Sequence, residues 1–201
     1  MMNVCCYAEA CDRNRDPIFE VIEPLLRHRR AVLEIGSGTG QHAIYFAKKI
    51  PHLVWHTSDR EENHPAIQGW LDKAGLPNVL PPQSLDVSQP DWPAPDIDTV
   101  FSANTAHIMG WHEVELFFSG VGRLLPDGGI LLLYGPFNYS NQFTSESNRV
   151  FDQRLRERDP DSGIRDFERL DQLAQREQMV LRNDFQMPAN NRLLFWQKAL
   201  P

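Results

Sequence analysis

The sequence has no long apolar run and no excess of basic charge. Its 201 residues are 41% hydrophobic and 23% charged, the ordinary balance of a globular protein. No stretch approaches the ~20 apolar residues of a membrane span, and the N-terminus lacks the basic flank and apolar core of a signal peptide. These absences predict one cytoplasmic domain over residues 1–201, with no membrane partner.

The charge distribution argues against a nucleic-acid partner. The formal net charge is −7, whereas proteins that bind polyanions usually carry a basic face. In the arginine-rich region 146–182, acids and arginines alternate, which is typical of a solvated helical surface.

Cysteines are few and are confined to the N-terminus, as Cys5, Cys6 and Cys11. No second cluster supplies the other ligands of a zinc site, so we predict reduced thiols and no metal.

The clearest motif is a short apolar strand, a glycine turn and an amphipathic helix. Residues 31–35 are apolar except for Glu34, and Gly36, Gly38 and Gly40 follow at alternate positions. Glycine there permits positive φ and the close approach of a ligand. The next apolar residues recur at helical spacing, as Ala43, Phe46, Ala47 and Ile50. Such a turn is typical of a nucleotide-type site at the carboxyl edge of a parallel sheet.

The glycine spacing separates the ligand classes that use such a turn. A phosphate loop needs G-x-x-x-x-G-K-[ST], but no lysine follows the glycines until Lys48. The dinucleotide fingerprint is G-x-G-x-x-G, and here the third glycine, Gly40, comes one residue early. The pattern is instead E-x-G-x-G-x-G, which resembles motif I of the Rossmann-like methyltransferases that use S-adenosylmethionine (SAM). The resemblance implies that the turn meets the amino-acid part of SAM through Gly36, Ser37, Gly38 and Gly40, and that Glu34 helps place it. A strand–helix corner without a ligand is the alternative.

Two further acids follow predicted strands. Asp59 ends a strand about 20 residues after the glycine turn, where a carboxylate meets the ribose diol in nucleotide-binding folds. A helix cap or an exposed turn acid is the alternative for Asp59. In the segment Leu85, Asp86 and Val87, the acid resembles the one that methyltransferases place near the adenine amino group. A turn acid before Ser88 is equally compatible with the local sequence.

The rest of the chain alternates apolar strands with amphipathic helices and ends in a predicted hairpin. Asp16 and Pro17 indicate the start of the first helix, as N-cap and first helical residue. Later strands are predicted over 79–87, 97–102, 130–134, 179–187 and 192–199. Further helices are predicted from about residue 65 and over 111–125, 148–158 and about 166–176. These alternations predict an α/β, Rossmann-like, doubly wound seven-stranded sheet. The methyltransferase resemblance implies the strand order 3-2-1-4-5-7-6, with the last strand antiparallel.

A closer resemblance covers essentially the whole chain. The sequence is similar to a poorly characterised, mainly bacterial family of small methyltransferase-like proteins that has animal members. The resemblance does not supply a substrate. One departure is Asp12, where the family is expected to have glutamate before Arg13 and Asn14. The matching motifs are Arg13-Asn14-x-x-Pro17-Ile18, residues 33–42, Ser102-Ala103-Asn104-x-x-His107-Ile108, Tyr134-Gly135-Pro136-Phe137-Asn138-Tyr139, residues 144–148, Arg158-Asp159-Pro160 and Gly163-Ile164-Arg165-Asp166. We expect the N-terminal segment to fold over SAM, with Asn14 contacting it.

The exit of the fourth strand indicates the acceptor class. It contains Asn104, expected to bind SAM, and His107, the candidate base or orienting group, for which a structural hydrogen bond is the alternative. It lacks the D/N-P-P-Y/F motif of base-amino methyltransferases and the Pro-Cys nucleophile of cytosine-carbon enzymes. The sequence therefore predicts methyl transfer to a small molecule. An apolar acceptor pocket is expected from Trp111, Tyr134, Phe137 and Tyr139, although core packing is the alternative for Trp111 and Tyr134. A SAM-binding regulator without turnover and a nicotinamide oxidoreductase are the competing functions.

Overall fold

The computed structural model describes residues 7–200 and divides into two compact units, one ending at Ser102 and the other beginning at Ala103. The helices and strands up to that division are α1 (Glu9–Leu26), β1 (Ala31–Ile35), α2 (Gln41–Lys49), β2 (Val54–Asp59), α3 (His64–Ala74), β3 (Val79–Ser84) and β4 (Thr99–Ala103). Those that follow are α4 (Trp111–Leu124), β5 (Ile130–Gly135), β6 (Phe137–Asn138), α5 (Glu146–Arg158), β7 (Arg165–Asp166), α6 (Phe167–Arg176), β8 (Met179–Met187) and β9 (Asn191–Lys198). The expectation of a single domain stays a prediction.

Seven strands form one mixed sheet in the order β3-β2-β1-β4-β5-β9-β8. The predicted α/β, Rossmann-like fold and its strand order are confirmed. β6 and β7 form a separate two-stranded sheet, so β8 and β9 are the sixth and seventh strands of the main sheet and correspond to the predicted order 7-6. β1 is parallel to both β2 and β4, and β9 is antiparallel to both β5 and β8. The prolines of β3 lie on an edge strand, where a missing N–H is tolerated.

The first unit packs its helices through an aromatic cluster. The ring centroid of Phe46 on α2 lies 5.6 Å from those of Trp55 and Phe101, on the strands either side of β1. All five residues of β1 are buried, as expected for a parallel strand with both faces covered. α1 buries Ile18, Ile22 and Leu26 at helical spacing.

The second unit has its own core. All six residues of β5 are buried, which matches its unbroken apolar sequence. The rings of Phe118 on α4 and Trp196 on β9 meet edge to face at 5.7 Å, and α6 buries Leu170, Leu173 and Ala174. No helix among residues 7–200 combines the length and the apolar character that crossing a bilayer requires.

The first helix begins earlier than predicted. α1 starts at Glu9, so that Pro17 lies inside the helix and not at its first position. Tertiary contacts outweigh the local signal, because Cys11 and Asn14 on its first turns both contact His42 of α2. Of the three cysteines, Cys11 is a free thiol, and Cys5 and Cys6 lie outside the described residues.

The central strand buries one acid. Glu34 is 2% exposed, and its Oε2 accepts hydrogen bonds from Trp55 Nε1 at 3.1 Å and Ser37 Oγ at 3.0 Å. Burial raises the pKa of the carboxyl group to about 7, with a smaller contribution from Asp59, while the two hydrogen bonds oppose the rise. The carboxyl group therefore titrates near neutral pH in the folded protein.

This pKa predicts a pH-dependent stability difference between the wild type and Glu34→Gln. Between pH 4.5, the carboxyl's ordinary pKa, and about 7, the unfolded chain is ionised while the folded protein holds its proton. The contribution of Glu34 to the free energy of unfolding of the wild type therefore falls as pH rises through this window. The Glu34→Gln variant has no carboxyl group to ionise at this position. Its free energy of unfolding relative to that of the wild type should therefore increase with pH, by on the order of 3 kcal/mol at most.

Urea unfolding of both proteins at several pH values measures this difference. His42 and His107, whose pKa values are lowered to about 4, act with the opposite sign in both proteins and cancel in the comparison. Glu62→Gln, which changes an exposed acid paired with Arg60, is the control and should give a smaller change with pH than Glu34→Gln. A pH-independent difference for Glu34→Gln would contradict the raised pKa.

Candidate functional site

The three glycines of the turn have left-handed φ values of 75°, 60° and 81° for Gly36, Gly38 and Gly40. They are required for different reasons. A Cβ on Gly40 would lie 3.3 Å from Ile67 Cγ2, so this glycine lets α3 approach the turn. A Cβ on Gly38 would meet no atom within 4 Å. The turn is therefore bare and open at Gly38, which suits the close approach of a ligand.

Asp59 lies beside that open position. Its Oδ2 accepts a hydrogen bond from Gly38 N at 2.7 Å, and its Oδ1 accepts from Arg60 N and Asn63 Nδ2, both at 2.8 Å. The structure thus brings the predicted ribose acid against the predicted glycine turn. A carboxylate has about four acceptor sites, so three donors leave capacity for another.

Glu34 acts on the turn through Ser37. Ser37 Oγ donates to Glu34 Oε2 and accepts from Ser58 N at 3.2 Å, and the N–H groups of Gly36 and Ser37 both donate to Ser58 O. The side chain of Glu34 is hidden behind this network, which fixes the turn against β2. Its expected part in placing a ligand is indirect in this arrangement and stays a prediction.

The start of α1 is attached to the other end of the glycine turn. Gln41 Oε1 accepts from Ala8 N at 2.7 Å and from Thr39 Oγ1 at 2.9 Å. His42 Nε2 donates to Asn14 Oδ1 at 2.7 Å, which leaves Nδ1 as the acceptor facing the Cys11 thiol at 3.8 Å.

This attachment brings the N-terminal segment to the turn. Burial lowers the pKa of His42 to about 4 and raises that of Cys11 to about 11, so both groups are neutral at pH 7. They form a structural contact without a reactive thiolate. Asn14 is engaged by His42, and its expected contact with SAM stays a prediction.

The segment after β3 joins the same region. Leu85 is buried, and its N–H donates to Asp59 O at 3.0 Å. Asp86 Oδ1 accepts from Ser88 Oγ at 2.7 Å and Ser88 N at 2.9 Å, and these bonds lower the pKa of its carboxyl group. Asp86 thus has the turn role that the sequence left open, and Val87 is half-buried beside it. The expected contacts of all three residues with adenine stay predictions.

In the second unit, His107 follows β4 and is only 7% exposed. Its ring lies edge to face with Phe151 at 5.3 Å, and its carbonyl accepts from Gly163 N at 2.8 Å. Burial and, to a smaller extent, the Arg165 guanidinium lower the pKa of the imidazole to about 4. The imidazole is therefore neutral at pH 7, and the role of His107 as base or orienting group stays a prediction. Asn104 adopts a left-handed φ of 60°, and its N–H donates to Tyr134 O at 2.9 Å.

The expected aromatic walls have different environments. Tyr134 and Phe137 are buried core residues. The Trp111 ring carries the guanidinium of Arg169 at 3.5 Å. Tyr139 donates to Asp184 Oδ2 at 2.6 Å and lines a cavity of about 370 Å³ with polar neighbours, namely Thr144, Gln186, Asn190, Asn191 and Arg192. Trp111, Tyr134 and Phe137 do not line this cavity, so the expected apolar acceptor pocket stays a prediction.

Several residues of the site carry roles that the sequence did not predict. Trp55 is the buried donor to Glu34, Asn63 supports Asp59, and Arg165 contacts the turn that contains His107. Only Arg165 had a signal, because it belongs to a motif of the family resemblance. Within residues 7–200, no group of three or more His, Cys, Asp or Glu side chains is arranged to hold a metal ion.

Three solved structures have a fold similar to that of this chain. Human N-acetylserotonin methyltransferase in complex with SAM matches with a TM-score of 0.81 and 13% identity, over 96% of this chain and 53% of that one. An O-methyltransferase family protein from Burkholderia thailandensis matches with a TM-score of 0.78 and 13% identity, over 92% and 58%. PigF, solved with S-adenosylhomocysteine (SAH), matches with a TM-score of 0.78 and 14% identity, over 90% and 55%.

These likenesses establish the fold. The chain spans little more than half the length of each of these structures. Its sequence also matches one family, described as "Protein of unknown function (DUF938)", over residues 5–198. Because this match covers nearly the whole chain, the protein belongs to the DUF938 family.

Proposed function

We propose that the protein is a SAM-dependent methyltransferase that acts on a small-molecule acceptor. The observation that carries the proposal is the E-x-G-x-G-x-G turn, open at Gly38 and hydrogen-bonded there to Asp59. The solved structures that share the fold support the proposal, since two of them are named as methyltransferases and two hold SAM or SAH. The net charge of −7 favours a small acceptor over a nucleic acid.

The residues of the first unit fit SAM. The bare main chain at Gly38 would receive the amino-acid part, and the remaining acceptor site of the Asp59 carboxylate would take a hydrogen bond from a ribose hydroxyl. The segment from Leu85 to Val87 would meet the adenine. SAM, when bound, supplies a methyl group already activated on a sulfonium. The protein therefore contributes mainly binding, orientation and the exclusion of water.

His107 is the proposed group on the acceptor side. With a pKa of about 4 it is neutral at pH 7, so a ring nitrogen is available to accept a hydrogen bond from an acceptor hydroxyl, thiol or carboxyl group. A base of such low pKa is inefficient at removing a proton at neutral pH. The orienting role is therefore the stronger of its two assignments. Asn104, in the same segment, stays a proposed contact to SAM.

Ligand-induced stabilisation tests the cofactor. SAH at 100 times its dissociation constant should raise the free energy of unfolding by ~2.7 kcal/mol, measured as a rise in melting temperature. NADH should give no rise. Gly38→Val should abolish the SAH effect by filling the open space beside the turn. Gly75→Val is the matched control, because Gly75 has the same φ of +60° and equally open surroundings on α3. Stabilisation by NADH and not by SAH would overturn the proposal.

A substitution at Asp59 tests the ribose contact. Asp59→Ala should weaken SAH binding at least ~10-fold, because a hydrogen bond to a charged group contributes roughly 1.5–3 kcal/mol. Some loss of stability is also expected, since three donors lose their acceptor. Asn63→Ala removes one of those donors and keeps the carboxylate, so it should bind SAH nearly as wild type does. Calorimetric titration measures both, and wild-type affinity in Asp59→Ala would reduce Asp59 to a turn acid.

A substitution at His107 tests the acceptor side. A metabolite extract incubated with labelled SAM, followed by mass spectrometry, identifies the methylated product. His107→Ala should retain SAH affinity and lose transfer by ~10²-fold, the scale of a lost acid–base or orienting group. His112→Ala, on an exposed part of α4, should transfer normally. Full turnover in His107→Ala removes this residue from the mechanism. Methylation of intact RNA, DNA or protein instead of a metabolite contradicts the substrate class.

A further inference from the structure

We propose that Arg165 is a positioning residue, whose guanidinium holds the turn after β4 and so fixes His107. The proposal rests on the role proposed for His107 in methyl transfer. Arg165 lies in β7, far along the chain from His107, within a motif of the family resemblance to which the proposed function gives no role.

The guanidinium of Arg165 contacts the main chain on both sides of His107. It is 8% exposed, and its Nε donates to Ala106 O at 3.0 Å. Its Nη2 donates to Met109 O and, at 2.7 Å, to Asp161 O. Gly163 N, two residues before Arg165, donates to His107 O at 2.8 Å. The turn is therefore attached to the segment 161–165 at residues 106, 107 and 109.

The segment that carries Arg165 is itself held firmly. The buried carboxylate of Asp152 on α5 accepts from Ile164 N at 2.7 Å and from Arg156 Nε at 2.8 Å. A Cβ on Gly163 would lie 2.6 Å from Arg156 Cζ and 2.8 Å from Asp152 Oδ1, and its φ is +142°, so only glycine fits. Helix α5 thus fixes the segment that carries Arg165, and through it the turn that contains His107.

A second attachment comes from the small β6–β7 sheet. Arg165 pairs with Phe137 in that sheet. Gly135 lies beside His107, since a Cβ there would be 3.7 Å from His107 Nδ1 and 3.8 Å from Phe137 Cζ. Three motifs, containing His107, Phe137 and Arg165, therefore meet around one imidazole. General packing does not require a buried guanidinium at this place, because an apolar side chain of similar length fills the same volume.

The charge of Arg165 adds an electrostatic effect. A cation beside an imidazole disfavours its protonated form, and Arg165 contributes in this sense to the lowered pKa of His107. Asp152, Asp159, Arg156 and Arg169 are the charged groups that act on Arg165 itself. Phe151, which packs on His107, is uncharged. Arg165 therefore both holds His107 and keeps its ring neutral.

Two substitutions separate these effects. Arg165→Met removes the hydrogen bonds and the charge, so the pKa of His107 should rise but stay below its ordinary value, because burial is the larger cause of its lowering. The kcat should fall ~10-fold or more through loss of alignment. Arg165→Lys keeps the cation but not the fork of donors, so the pKa of His107 should stay low while kcat still falls. Arg154→Met, which removes an exposed cation of α5, is the control and should match the wild type.

The experiment has three measurements on each variant. NMR titration of histidine-labelled protein gives the pKa of His107, whose signal is assigned by its loss in His107→Ala. Calorimetry gives SAH affinity, expected to stay within ~2-fold of wild type because the proposed SAM contacts other than Asn104 lie in the first unit. Transfer kinetics give kcat and KM for the acceptor identified from the metabolite extract. In the double variant, adding Arg165→Met to His107→Ala should not lower kcat further.

The outcomes distinguish this inference from the proposed function. Wild-type titration of His107 and wild-type kcat in Arg165→Met would overturn the positioning role, as would an additive loss in the double variant. If wild-type protein methylates nothing, the proposed function fails. The NMR titration then still decides the link, since an unchanged His107 signal in Arg165→Met and Arg165→Lys would refute it. Should Arg165→Met not fold, the kcat of Arg165→Lys decides the question, since a fall is expected and a wild-type value would overturn the positioning role.

Discussion

The first unit depends on the buried carboxyl group of Glu34. Its Oε2 receives the indole N–H of Trp55 and the hydroxyl of Ser37, and so connects β1 to β2 and to the glycine turn. A buried acid without these donors would be strongly destabilising. The turn can therefore be bare and open at Gly38 and still be held in place, because hydrogen bonds through Ser37 and to the carbonyl of Ser58 attach it to β2.

The sequence was sufficient to predict most of the fold. Glycine spacing and apolar periodicity are local properties, and they predicted the strand–turn–helix and the alternation of strands and helices. The sheet order was implied by the methyltransferase resemblance, and the structure confirms it. The start of α1 was predicted wrongly, because the signal of Asp16 and Pro17 is local whereas the contacts of Cys11 and Asn14 with His42 are tertiary. Helix propensity is a weak prior that such packing overrides.

The sequence predicted which residues belong to the candidate site, but it predicted few of the contacts that these residues make. Motif spacing indicated that Gly38 and Asp59 meet, and they are hydrogen-bonded. Spacing carries no information about burial, so the lowered pKa of His107 could not be predicted from the sequence. It also gave no role to Arg165, since the carbonyls that this side chain binds belong to a turn more than fifty residues away along the chain.

Three buried titratable groups in the two units are affected by burial in the same way. Glu34, His42 and His107 are each surrounded by protein and have pKa values shifted towards their neutral forms. Proton transfer at pH 7 is a poor use for a histidine with a pKa of about 4, but a fixed neutral imidazole is a good hydrogen-bond acceptor. Methyl transfer from an activated donor demands mainly alignment of the reacting atoms. Hydrogen bonds that immobilise the turn around His107 are therefore the kind of contribution that the proposed reaction requires from the protein.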